Sequence, residues 1–261
     1  MLRPRLIPCL LVHQGGLVKT QGFKDPKYVG DPINAVRIFN EKESDELIVL
    51  DIDATVNGAA PDFGLITKLA AECRMPLCYG GGVTTAKQAA QIVGMGVEKV
   101  AVSAAAIANP GLLTEMADAV GRQSVVAVID VRKRTGMFSS GYEVCTHNGK
   151  VKHKVQPLAL AKSLQDAGAG EIVINSIDRD GQMQGYDLEL ASELKECLEV
   201  PMTVLGGAGT LDHVQGLVRQ LGVVGAAVGS MFVFKGKYRA VLINYPTPDQ
   251  KKELFESVLQ R

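Results

Sequence analysis

Apolar runs that read as buried strands alternate with amphipathic helical stretches along all 261 residues of this chain, and that rhythm leaves few folds open. Strands are predicted at 5–12, 46–52, 76–80, 98–103, 124–131, 170–176, 201–206 and 223–229. Helices are predicted near 31–43, 60–73, 84–95, 109–120, 156–168, 186–198, 210–221 and 248–259. Nearly continuous apolar strands fit a parallel sheet covered by helices. Eight β–α units of about this total length predict one closed (βα)8 barrel, a TIM barrel, as a single domain over 1–261. The helix at 84–95 places Ala86, Ala89, Ala90 and Val93 on one face, and that at 210–221 places Val214, Leu217, Val218 and Leu221 likewise.

The two halves of the chain echo each other. Asp53 stands as far before Pro76 as Asp178 before Pro201, and Gly82 as far before Ser103 as Gly209 before Ser230. Each half carries a short strand, a glycine turn and a helix start, at Met75–Thr85 and at Val200–Thr210. Glycines let the backbone approach a ligand, and the free N–H groups of a helix start favour an anion. A barrel with a two-fold internal half-barrel repeat then predicts two phosphate loops on opposite sides of one mouth. The expected contacts are Gly81, Gly82, Ser103, Gly207, Gly209, Gly229 and Ser230. Long connections at 13–30 and 132–155 are candidate lids, the second with a small hairpin.

Composition narrows the function. Twenty-eight basic residues balance 28 acidic ones, which argues against a nucleic-acid binder. No apolar run approaches the length of a membrane helix, about 18 residues or more. Cys9, Cys73, Cys78, Cys145 and Cys197 are odd in number and scattered, as in a cytoplasmic protein with reduced thiols. Cys145, His147 and His153 have loose spacing and no evident fourth ligand, so neither metal nor other cofactor is expected. His13 and His213 read as a loop and a helix-start residue.

Chemistry in such a barrel sits at the C-terminal ends of strands. Asp130 ends strand five and is a candidate acid/base or a loop anchor. Asn175, Asp178 and Asp180 form a polar cluster after strand six that either binds substrate or caps the loop. Lys19 and Lys133 lie in mouth loops and are candidate phosphate partners or solvated cations. At the opposite end, Arg5, Glu46, Lys99 and Glu171 begin four strands. Period-two alternation puts them on the same face as Leu11, Leu50, Ser103 and Asn175, hence toward the axis. Four inward charges of balanced sign predict a paired ring across the bottom mouth, because unpaired buried charge is costly.

These residues resemble the cyclase subunit of imidazole-glycerol-phosphate synthase nearly end to end. The likeness is carried by Arg5-Leu-Ile-Pro-Cys-Leu, Gly80-Gly-Gly, Gly168-Ala-Gly-Glu171 and Gly206-Gly-Ala-Gly209. Most specific are Ser176-Ile-Asp-Arg-Asp-Gly181 and Gly185-Tyr-Asp. The resemblance implies a glutaminase partner docked at the N-terminal face of the barrel, and ammonia passing Arg5, Glu46, Lys99 and Glu171 as a gate. Ile7, Cys9, Ile48, Leu50, Ala101 and Val173 would line the route to a bis-phosphorylated substrate. The family uses two aspartates; Asp130 matches the second, and Leu11 stands where the first belongs. A family Asn-Thr pair is Ser103-Ala104 here, and a family serine is Leu205. The ammonia end is therefore kept and the substrate end rewritten. That suggests a paralogue serving amidination of a nucleotide-activated sugar in surface-polysaccharide synthesis, with a separate ATP-dependent sugar amidotransferase as a further partner. The alternatives are a true histidine-pathway cyclase and a non-catalytic scaffold that activates the glutaminase.

Overall fold

A computed structural model describes residues 3–134 and 141–259. The strands are β1 Arg5–His13, β2 Gly16–Gln21, β3 Lys24–Gly30, β4 Leu47–Asp51, β5 Leu77–Gly80, β6 Lys99–Val102 and β7 Val125–Lys133. They continue as β8 Tyr142–Thr146, β9 Val151–His153, β10 Glu171–Ser176, β11 Met202–Leu205, β12 Gly225–Val228, β13 Phe234–Lys235 and β14 Ala240–Val241. The helices are α1 Pro32–Glu41, α2 Phe63–Glu72, α3 Ala86–Gly94, α4 Ala104–Ala108, α5 Gly111–Val120, α6 Pro157–Asp166, α7 Leu188–Cys197, α8 Leu211–Leu221 and α9 Pro248–Leu259.

β1, β4, β5, β6, β7, β10, β11 and β12 pair in parallel, and β12 returns to β1 through Arg5↔Gly225 and Ile7↔Ala227. The predicted (βα)8 barrel is therefore closed. Two apolar layers follow from the alternation of strand side chains. Outward residues such as Leu6, Val49, Tyr79, Ile129 and Ile174 pack under the helices. Inward residues form a second column of Ile7, Cys9, Ile48, Cys78, Ala101, Val126, Val128, Val173, Leu205 and Ala227.

Helix starts follow local chemistry. Thr85 and Gln88 make a reciprocal capping box on α3. The Thr210 hydroxyl accepts from His213 N on α8. α8 buries Val214, Leu217 and Val218 as predicted. The buried face of α3 is turned from the predicted one: Ala89 and Ile92 are buried, Ala86 and Val93 flank them, and Ala90 faces solvent.

At three places the structure adds to the predicted elements. The single helix predicted at 109–120 is preceded by a short separate one, α4, because Asn109 leaves helical geometry and Pro110 begins the next. Residues 13–30 are not an open loop: β2 and β3 extend β1 as an antiparallel hairpin. β7 likewise runs on past the barrel to pair with β8, and β8 with β9. The predicted hairpin in that excursion is thus present, while 135–140 lie outside the described residues.

Candidate active site and charged ring

At the base of the barrel the four expected charges meet. Arg5 pairs with Glu46 through Nη1, and Arg5 Nη2 lies 2.7 Å from Glu171 Oε1. Lys99 Nζ lies 2.7 Å from Glu46 Oε1 and 2.9 Å from Glu171 Oε2. Each cation thus touches both carboxylates. Thr203 adds a hydroxyl that donates to Glu171 Oε1 at 2.6 Å and accepts from Arg5 Nη2 at 3.3 Å. Burial alone would push the Glu171 carboxyl up, but Arg5, Lys99 and the Thr203 hydroxyl hold it below its ordinary value. Thr203 was not anticipated; its place at the foot of a strand beside Gly225 was the available signal.

Above the ring the column is apolar until Leu11, Leu50, Ala101 and Val128, which form the floor of a cavity of about 560 Å³ at the C-terminal end of the strands. A volume of this size accommodates a small-molecule ligand. The first glycine loop lines it through Gly81 and Gly82, joined by Ser103 and Ala104. Gly81 has φ +128°, and a Cβ there would lie 2.6 Å from the Asp51 carbonyl oxygen, so only glycine fits. Asp130 and Asn175 face the cavity side by side, with Asn175 Nδ2 donating to Asp130 Oδ1 at 2.9 Å. Burial pushes the Asp130 carboxyl up to about 7; the Asn175 amide opposes this and the Asp180 charge adds to it. Leu11 lines the same cavity and brings no proton-transferring group.

Sequence reasoning missed Asp51, His147 and Asn148 in this cavity. Asn148 Nδ2 donates to the Ile52 carbonyl at 2.9 Å and so ties the β8–β9 turn to the mouth. The His147 and His153 rings both meet the Thr146 hydroxyl, at 3.0 and 2.9 Å. His13, the last residue of β1, pairs with Asp53 at 2.7 Å and is part of a strand, not of a loop.

The second glycine loop is placed differently. Gly206 and Gly207 adopt positive φ, as Gly81 and Gly82 do, and Thr210 caps α8 as Thr85 caps α3, so the half-barrel repeat extends to backbone geometry. Ser103 is matched in backbone geometry by Gly229, at φ −128°, ψ −86° and φ −98°, ψ −91°, and not by Ser230, so the equal spacing from Gly82 and Gly209 to the two serines does not carry into the structure. Residues 177–187 cover this second loop. Gly185 N donates to the Gly207 carbonyl at 2.7 Å, and Gly209 N donates to His213 Nδ1 at 3.1 Å. Neither Gly207, Gly209, Gly229 nor Ser230 lines the large cavity. A Cβ on Gly207 would lie 2.1 Å from the Gly185 carbonyl, at φ +107°. Gly207→Ala is expected to push this cover aside at about 1–3 kcal/mol of stability, read from the denaturation midpoint.

The lysines are not free mouth cations. Lys19 lies buried on β2, and its Nζ donates to the Cys9 carbonyl. Burial lowers its pKa, against the nearby Cys9 and Asp180. Asp180 accepts from Thr20 Oγ1 at 2.6 Å and from Phe23 N at 3.2 Å, which fixes the β2–β3 hairpin to the loop after β10. Asp178 accepts from Lys133 N at 2.6 Å, while the Lys133 ammonium sits over the Tyr142 ring. Among the described residues no group of three or more His, Cys, Asp or Glu is placed to hold a metal ion, and no helix is long and apolar enough to cross a membrane.

The fold and site define a parallel β/α barrel with a paired charge ring at one end and a glycine-lined cavity at the other. Residues 5–239 match the model of a family described as histidine biosynthesis protein, and the chain belongs to that family. It is 56% identical over 98% of both chains to a Vibrio vulnificus protein named, provisionally, as imidazole glycerol phosphate synthase subunit hisF3. It is 50% identical over 94% of its length and 97% of the other to a Pseudomonas aeruginosa protein provisionally named as subunit hisF2. To the Clavibacter michiganensis protein named imidazole glycerol phosphate synthase subunit HisF without that qualification it is 39% identical, over 81% of its length and 80% of the other.

Proposed function

We propose that this chain is the barrel subunit of a HisF-type glutamine amidotransferase. A glutaminase docks on the N-terminal face, and the ammonia it releases enters past Arg5, Glu46, Lys99 and Glu171. It then crosses the apolar column to the upper cavity. Neutral ammonia suits such a column, whereas ammonium would have to shed its hydration. The observation that carries this reading is the charge ring, paired without remainder at the foot of an apolar column that leads to Asp130.

The nitrogen leaves for an acceptor other than the histidine intermediate. We favour a nucleotide-activated sugar amidinated by a separate ATP-dependent enzyme in surface-polysaccharide synthesis. Two features of the upper end favour a changed acceptor. Leu11 removes one acid/base group. Among the described residues, those lining the cavity include Asp51 and Asp130 but no lysine or arginine to meet phosphate.

Reconstitution with a candidate glutaminase and ¹⁵N-amide glutamine tests the proposal. The pair is expected to associate, and label is expected to reach a sugar acceptor in the presence of the ATP-dependent enzyme. Absence of any complex would remove the conduit. Asp130→Asn is expected to leave the complex intact and to lower label transfer by about 10², the loss of one proton-transfer group. Unchanged transfer would favour the scaffold reading, in which the barrel only activates its partner.

A further inference from the structure

Two basic hairpins stand side by side at the edge of the mouth, and the conduit uses neither. The β2–β3 tip carries Lys24, Asp25, Lys27 and Tyr28, and the β13–β14 hairpin carries Lys235, Lys237, Tyr238 and Arg239. They are joined. Lys27 Nζ donates to the Arg239 carbonyl at 3.5 Å and sits over the Phe234 ring, and Arg239 Nη2 donates to the Gly181 carbonyl at 3.1 Å. Residues 21–28 and 234–241 thus hold five cations and one carboxylate, in a chain whose charges otherwise balance. Among the described residues none of the five cations is in an ion pair. Asp180, next to Gly181, is engaged by the Thr20 hydroxyl and the Phe23 N–H. Four of the six exposed large apolar side chains among the described residues lie on the same hairpins or beside them: Tyr28, Tyr238, Val241 and Leu242, with Tyr238 90% exposed. Apolar exposure gathered in one place marks a contact surface, which scattered single residues do not.

From this juxtaposition we infer that the two hairpins form a docking surface for an acidic face of the protein that takes up the ammonia. The inference rests on the reading that nitrogen leaves this chain for a separate enzyme, and it names where that enzyme sits. Thr20 and Phe23, on the same β2–β3 hairpin, line the large cavity, so a protein seated on the tip lies against the outlet. The lysines and tyrosines of the two tips do not line that cavity, so its ligand is not what they hold. Charge sets the sign of the partner: a basic patch draws and orients an acidic surface, and exposed tyrosines supply the anchors that interface centres favour. Charge also excludes a second copy of this chain, because a two-fold contact of the patch with itself would set like charges against each other. Strand addition is blocked as well. β3 pairs with β2 alone and carries Lys24, Pro26 and Lys27 along its open edge.

The test uses the complex of this chain with its glutaminase and a purified candidate for the ATP-dependent sugar amidotransferase, with binding kinetics as the readout. The wild-type complex is expected to bind, with Kd rising about tenfold between about 0.05 and about 0.5 M sodium chloride. Lys24→Glu, Lys235→Glu and Lys237→Glu together are expected to weaken binding about 10²-fold, mainly through slower association. Tyr238→Ala is expected to weaken it about tenfold, mainly through faster dissociation. These side chains are exposed, so the denaturation midpoint and the affinity for the glutaminase should stay as in wild type. Vesicles of anionic phospholipid and a single-stranded oligonucleotide serve as competing probes. Charge-dependent binding to either, with the enzyme's affinity unmoved by the substitutions, overturns the inference. No binding of the enzyme by the wild-type complex overturns it too. Glutamine nitrogen that reaches the sugar equally from wild type and variants, at equal affinity, overturns the docking surface and leaves the ammonia reading standing. Binding that needs the hairpins but delivers no label removes the ammonia reading and keeps the surface.

Discussion

Glu171→Gln is expected to lower the free energy of unfolding by about 3–5 kcal/mol at neutral pH, the usual cost of removing one partner from a buried ion pair. Glutamine nearly matches the shape, so the loss comes from charge. Arg5 and Lys99 would then share only Glu46, and the new amide NH₂ would be a further donor facing donors. The pH dependence has a definite sign. The folded pKa of Glu171 lies below its unfolded value. Its stabilisation is therefore complete above the unfolded pKa of about 4.3 and is lost as pH falls from there through the folded value. The wild-type and glutamine proteins should differ most above about pH 5 and converge in acid. Guanidinium titrations at several pH values measure this. A difference under about 1 kcal/mol at pH 7 would place the ring among solvated surface pairs.

Leu11→Asp is the second large effect. The wild-type chain is expected to turn over the bis-phosphorylated histidine intermediate poorly with ammonium salt, because one of two proton-transfer groups is missing. Restoring it is expected to raise that rate by about 10²–10⁴. The new carboxylate would enter the floor of a cavity already holding Asp130, and like charges there would raise the pKa of one of them. The pH–rate profile of the variant should therefore acquire a second inflection. Robust turnover by the unaltered protein would instead return it to the histidine pathway, with another group in place of the aspartate.

What could be read from the sequence depended on how far regular structure carries information. Arg5, Glu46, Lys99 and Glu171 were placed on the axis because strand parity carries over the few residues that separate them from Leu11, Leu50, Ser103 and Asn175. The same logic placed Ile7, Cys9, Ile48, Ala101 and Val173 inside. The β2–β3 hairpin was missed because Lys24-Asp-Pro-Lys-Tyr28 is charged and holds a proline, which reads as non-strand. The left-handed residues Phe23 and Asp25, at φ +64° and +51°, are not glycines either. The cover on the second glycine loop was also beyond reach. It depends on Met183 at φ +61° and on Arg179 donating to the Gly185 carbonyl at 3.0 Å, and no periodicity encodes such contacts. Asp51 and Asn148 escaped for a similar reason: one works through backbone N–H groups of its own turn, the other reaches the mouth from a hairpin tip.

The last barrel strand and the segment after it also govern when the molecule can become whole. β12 is the neighbour that β1 lacks until residues 225–228 exist, and the Tyr245 hydroxyl then donates to the Leu6 carbonyl at 2.8 Å. During ribosomal synthesis the cylinder accordingly stays unsealed until residues 225–228 and Tyr245 have emerged. The seven earlier strands wait with Arg5 reachable by water and an open β edge exposed to whatever nascent polypeptide lies nearby.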